Sequence, residues 1–183
     1  MRLTKSAVPL LGAILFVVLV SLAIHFLAIP SAEASSAALT KTYSNPAWGF
    51  ALKMPADFSA YPPNATPRRH ETGAPMGQAI VLQNKSGATV QIVVMPDSRE
   101  VSNTILTADD IEQLAPYNDL SQAEPIQIAP GVIGTTFTDT KHPAYGSSTE
   151  EVWFAYRGNR YEVTADAKNG ALFKSMIATW TFI

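Results

Sequence analysis

The 183-residue chain contains no cysteine, so disulfides, thiolate nucleophiles, cysteine metal ligands and lipid-modified cysteines are all excluded. Charge is scarce as well. Asp, Glu, Lys and Arg make up 15% of the residues, and the only adjacent cations are Arg68 and Arg69. A nucleic-acid surface needs clustered positive charge, so no nucleic acid is expected as a partner. The three histidines stand far apart, and no His-Glu-x-x-His pair, Gly-x-Ser-x-Gly elbow or phosphate-binding glycine loop occurs. Catalysis has no signature here, and no cofactor is expected.

What the chain does have is a long apolar run. Arg2 and Lys5 precede apolar residues from 7 to 29, and Ala32-Glu33-Ala34 follows. A positive start, an apolar middle and a small-x-small exit make a secretory leader, with cleavage expected after Ala34. The run also matches the roughly 20 residues needed to span a bilayer, so residues 1–34 read as a signal peptide or an uncleaved signal anchor. In both cases the rest of the chain is extracytoplasmic: periplasmic or secreted after cleavage, or anchored by a single pass. Membrane contact is expected only if residues 7–29 stay in place. Residues 35–41 read as a tether, and residues 42–183 as one domain carrying a net negative charge.

Within that domain the periodicity is mostly that of strands. Trp48, Phe50, Leu52 and Met54 alternate with Gly49, Ala51 and Lys53 after a turn at 44–47. Residues 55–77 hold several prolines, which cannot donate to a ladder, and read as loop. Residues 78–83 and 88–95 flank Asn84-Lys85-Ser86-Gly87 and read as a hairpin, and Pro130-Gly131 joins a second one. In a third hairpin a Gly158-Asn159 loop sets Tyr156 opposite Tyr161, Phe154 opposite Val163 and Val152 opposite Ala165, giving one apolar face. A slip by one residue would bury Glu162. Thr107, three residues before Asp110, predicts a capping box on a short helix that stops at Pro116. Asn169 is expected to cap a second helix, along which Leu172, Phe173, Met176, Ile177 and Trp180 form a stripe. A last short strand is expected at 181–183. The predicted class is α+β, an antiparallel sheet with helices packed against it.

Two stretches carry a resemblance. Tyr43-Ser44-Asn45-Pro46-Ala47-Trp48-Gly49-Phe50, running on to Met54-Pro55, resembles the opening of PsbP-like domains. Tyr161-Glu162-Val163 after Gly158, then Met176-Ile177 leading to Trp180-Thr181-Phe182, resembles their closing helix and strand. Trp48 departs from the tyrosine usual before the glycine. The resemblance spans most of residues 42–183 and rests on structural positions. It implies the fold, and an accessory or binding role outside the cytoplasm; it places no site residue.

Candidate site residues are few. Arg68-Arg69-His70-Glu71 is the densest charged cluster, and Arg68 and Arg69 are the candidates for gripping an acidic partner. His70 and His142, with Glu71 or Asp139, would suit a divalent transition metal if their loops met. Asp109, Asp110 and Glu112 are explained by the positive end of a helix dipole. Glu150 and Glu151, neighbours on a strand, point to opposite faces and cannot serve one substrate together. The function expected is therefore noncatalytic docking on another envelope or membrane protein, with surface loops rather than a pocket carrying specificity. A metal- or small-ligand-binding protein using the loop histidines and a hydrolase with a dispersed site are the alternatives.

Overall fold

The computed structural model describes residues 38–62, 68–69, 75–97, 105–140 and 147–183, with Arg68, Arg69 and Pro75 described by their backbone alone. All belong to one compact unit, Ser36–Ile183. The apolar run at 7–29 lies outside the described residues, among which no helix is long and apolar enough to cross a membrane.

The class is α+β, and every strand pairing is antiparallel. Seven strands form the main sheet in the order β3-β6-β7-β11-β10-β9-β8. They are β3 (Ser59–Tyr61), β6 (Gln78–Gln83), β7 (Thr89–Pro96), β8 (Glu124–Ala129), β9 (Val132–Asp139), β10 (Thr149–Tyr156) and β11 (Asn159–Asp166). A smaller sheet of β1 (Lys41–Asn45), β2 (Phe50–Met54) and β12 (Thr181–Phe182) has β2 at its centre. β4 (Arg68–Arg69) and β5 (Pro75–Met76) form a ladder of their own. The stretch expected to be loop, 55–77, thus contributes three short strands, because long-range pairing such as Tyr61 with Val81 overrides local composition.

Alternation along β7, β10 and β11 gives the main sheet two unlike faces. Val90, Ile92, Val94, Val152, Phe154, Tyr161 and Val163 face a core completed by Phe50, Leu52 and Met54 of the small sheet and by helix α2 (Gly170–Ile177). Phe173, Met176 and Ile177 of α2 are buried, and so is Trp180 just past its end, as the helical stripe predicts. Phe50 stacks on Trp180 with centroids 4.5 Å apart, and Phe154 stacks on Tyr161 at 4.9 Å. The Tyr161 hydroxyl donates to the Trp48 carbonyl at 2.8 Å, tying the opening turn to the sheet, and burial pushes its pKa up to about 12.

Several local expectations are met. The hairpin β6-β7 pairs Gln83 with Thr89 across the 84–88 turn. Thr107 caps helix α1 (Ala108–Leu114): its hydroxyl accepts from the Asp110 N–H at 3.2 Å while Asp110 accepts from the Thr107 N–H at 2.9 Å. Others shift. β1 starts at Lys41, whose ammonium donates to the Phe58 carbonyl at 2.7 Å, and runs through Asn45, so the first turn falls at 46–49. Asn169 stands at the start of α2 without a side-chain capping bond; Asp166 caps the preceding 3-10 turn instead, accepting from the Lys168 N–H at 3.0 Å.

The β10-β11 register differs by two residues from the expected one. Phe154 pairs with Tyr161 and Val152 with Val163, because the loop is Arg157-Gly158, with φ of 47° and 73°. Two successive positive φ values are those of a type I′ turn, which matches the twist of the strands it joins. Since the displacement is even, each side chain keeps its expected face.

Gly134 on β9 is held small by a backbone neighbour: a Cβ there would lie 2.6 Å from the Trp153 carbonyl oxygen and 2.9 Å from Phe154 Cβ. Gly134→Ala is expected to cost roughly 1–3 kcal/mol, the usual range for overpacking, measured as a lowered thermal midpoint.

Candidate functional site

The second face of the main sheet should be its solvent side by polarity, since β11 presents Arg160, Glu162 and Thr164 there and β10 presents Glu151. It is instead partly covered. Leu106 and Ile111, from the start of the α1 segment, pack on Phe137, Trp153 and Ala155, and the C-terminal end of α1 overhangs what remains. Beneath that end lies a recess of about 420 Å³ with a floor of β7, β10 and β11 side chains and a rim that includes Leu114 and Asn118.

Strand pairing builds the floor. Trp153 lies opposite Glu162 and Glu151 opposite Thr164, so four residues distant in sequence share one patch. Glu151 is only 4% exposed. One of its carboxylate oxygens accepts from the Thr149 hydroxyl at 3.0 Å, and the other from the Trp153 indole N–H at 2.8 Å and the Thr164 hydroxyl at 3.2 Å. Arg160 Nε donates to Glu162 Oε1 at 2.8 Å. Its Nη2 lies 3.4 Å from Met95 Sδ, and its guanidinium carbon sits 5.9 Å from the Trp153 ring centroid.

Glu162 is therefore mostly buried even in the register that keeps it off the core. Burial pushes its carboxyl above the usual range against the opposing pull of Arg160, and the Glu151 charge adds to the rise. A carboxyl whose folded pKa exceeds its unfolded value binds its proton more tightly in the fold. The stability it contributes is complete below the unfolded pKa and declines as pH rises through the folded one. Glu162→Gln, which cannot ionise, should lose that decline. The variant is expected to match the parent at low pH and exceed it increasingly toward neutrality, as read from urea midpoints across a pH series.

None of the described residues singled out from sequence as candidates lines the recess. Arg68 and Arg69 form β4, opposite Met76 and Pro75. His70, Glu71 and His142 lie outside the described residues. Asp139 is wholly buried at the end of β9, where it accepts from the Asp119 N–H at 3.2 Å and so anchors the segment after α1. Among the described residues no three histidines, aspartates or glutamates gather as a metal site would require. Glu150 and Glu151 do point to opposite faces: Glu150 accepts from the Thr138 hydroxyl at 3.1 Å and pairs with Lys174 at 3.3 Å. Sequence reasoning missed Glu151, Trp153, Arg160 and Glu162 as a group. The available signal was Trp153, a large aromatic on the polar half of an alternating strand, which marks that half as covered.

No family model matches the chain, and no curated protein matches it. Among solved structures it is similar to a protein of Bacteroides thetaiotaomicron VPI-5482, with 14% identity over 80% of this chain and 49% of that one and a TM-score of 0.46. It spans about half the length of that protein. It is also similar to cyanobacterial PsbP (CyanoP) from Synechocystis sp. PCC 6803, with 12% identity over 85% of this chain and 99% of that one and a TM-score of 0.48.

Proposed function

We propose that this chain is a noncatalytic binding or accessory domain that works outside the cytoplasm and docks on a protein or complex of the cell envelope. The single observation that carries the noncatalytic part is that the ionisable groups of the recess are already engaged by one another and by their neighbours. Both Glu151 oxygens accept from protein donors, and the Arg160 Nε is spent on Glu162. General acid–base or covalent catalysis needs a base within reach of a nucleophile or of a substrate proton. A carboxylate held by an indole and two hydroxyls is a poor one, whereas a recess with fixed polar groups and apolar walls is what a binding site requires. The export signal in residues 1–34 supports the location.

The test offers the purified protein generic ester, phosphate and peptide substrates, and in parallel uses it as bait in its native envelope extract. No turnover is expected, together with a partner that co-elutes in fixed stoichiometry on size exclusion. Turnover abolished by Glu151→Gln or Glu162→Gln would sink the reading.

A further inference from the structure

We infer that the recess beneath α1 is a binding site for an organic ammonium ion: an amine carried on a short apolar stem, whether a lysyl side chain of a docking partner or a free alkylamine. The inference rests on the binding-module reading and names the ligand chemistry of that site.

Size comes first. The recess holds about 420 Å³, inside the range of roughly 300–1,000 Å³ common to small-molecule sites. Its charge then sets the sign of the ligand. Among the described residues the ionisable groups lining it are Glu151, Glu162 and Arg160, two acids against one base. An anion would add a third negative charge, and the guanidinium that would receive it already gives Nε to Glu162 and rests Nη2 on the Met95 sulfur. A cation balances the recess.

The donor set then separates an ammonium from a metal ion. A bare divalent cation needs several oxygens turned toward it at once, yet the Glu151 oxygens are already turned to three protein donors. An ammonium asks less. It donates three hydrogen bonds, and a carboxylate offers about four lone-pair sites, so it can share acceptors already in use. Glu162 Oε2 lies outside the Arg160 bond and supplies an acceptor of its own. Val93, Met95, Leu114 and the Trp153 ring provide apolar walls for the stem.

The environment of Glu162 fits the same ligand. Burial raises its pKa because its negative charge is poorly solvated, and an ammonium beside it would relieve that penalty. Among the described residues the charged groups facing it are Arg160 on its own strand and Glu151 on β10; β7 and the α1 segment present neutral side chains to the recess. Amine affinity should therefore fall as pH drops through the Glu162 range.

The experiment is isothermal titration of the full-length chain in nonionic detergent with three probes: n-butylammonium, Nα-acetyl-lysine methylamide and the uncharged Nα-acetyl-norleucine methylamide. At least one amine is expected to bind with one-to-one stoichiometry, and the norleucine probe at least about tenfold more weakly, as for a lost charge-assisted hydrogen bond. Preference for the capped lysine assigns the site to a partner's side chain; preference for butylammonium assigns it to a free amine. Glu162→Gln should weaken amine binding about tenfold without lowering the melting temperature. Asn118→Asp, which adds a carboxylate at the rim, should tighten it several-fold, a change in the opposite direction that loss of folding cannot mimic. Equal affinity for the norleucine probe, unchanged amine affinity in both variants, or no binding of either amine by the folded chain would overturn the ammonium assignment and leave the docking role standing. Chemical conversion of a bound amine, read by mass spectrometry, would overturn the noncatalytic reading and leave the ligand class standing.

Discussion

A chain lacking residues 172–183 is expected to show no cooperative thermal transition by circular dichroism. That segment supplies Phe173, Met176, Ile177 and Trp180, all buried, and β12, which pairs with β2 through Thr181 and Phe182. Burying one such side chain is worth roughly 1.5–3 kcal/mol, so together they match the whole margin of about 5–15 kcal/mol that separates a domain from its unfolded state. The loss reaches further than area. Phe50 loses its stacking partner Trp180, and Lys53 loses the Thr179 hydroxyl that accepts its N–H at 2.8 Å, so β2 is left with β1 alone as a strand neighbour. A sharp transition surviving the deletion would show that the tail does not complete the core.

Phe154→Ala is expected to be the most damaging single substitution proposed here, at about 3–5 kcal/mol. Phe154 is fully buried on the interior strand β10, stacked on Tyr161 and set edge-on to Trp180 at 5.1 Å and to Phe182 at 6.1 Å. Truncation removes the one ring that these three share, and β9 and β11 on either side leave the site little freedom to collapse. Phe154→Leu should restore part of the loss by refilling volume without the ring contacts. Urea unfolding checks both: the midpoint should fall in the order parent, Leu, Ala at constant slope. Equal midpoints for the parent and the Ala variant would mean that the aromatic cluster is not the centre of the core.

Most of the fold was legible because it is written in alternation. The hydrophobic half of β10 and β11 faces the core as read, and the α2 stripe lands where its spacing puts it. What local pattern could not settle was which of two residue pairs makes a tight loop. Asn159 tolerates positive φ, so a Gly158-Asn159 loop was a sound expectation; the backbone instead takes positive φ at Arg157 and Gly158, and Tyr156 pairs with Asn159. The site was not legible for a related reason. Glu151, Arg160, Glu162 and Thr164 read as the wet half of two strands, and only the arrival of α1 from residues upstream turns that half into a recess. No one-dimensional spacing encodes the meeting of β7, β10, β11 and α1. Arg68-Arg69-His70-Glu71 drew notice because its charges are adjacent in sequence, a signal that a recess assembled from separate elements does not give.

The outermost strands of the main sheet are β3 and β8, and each carries or abuts a proline: Pro62 directly follows β3, and Pro125 lies within β8. A sheet edge with no further strand on it, as at β3 and β8 among the described residues, is a template on which a second copy could stack strand by strand, and a chain without disulfides has no covalent staple against it. Proline offers no N–H to an incoming strand, so Pro62 ends the β3 border and Pro125 removes one donor from β8. The residues that hid three strands from the sequence reading are also of the kind that keeps one molecule's sheet from continuing into the next.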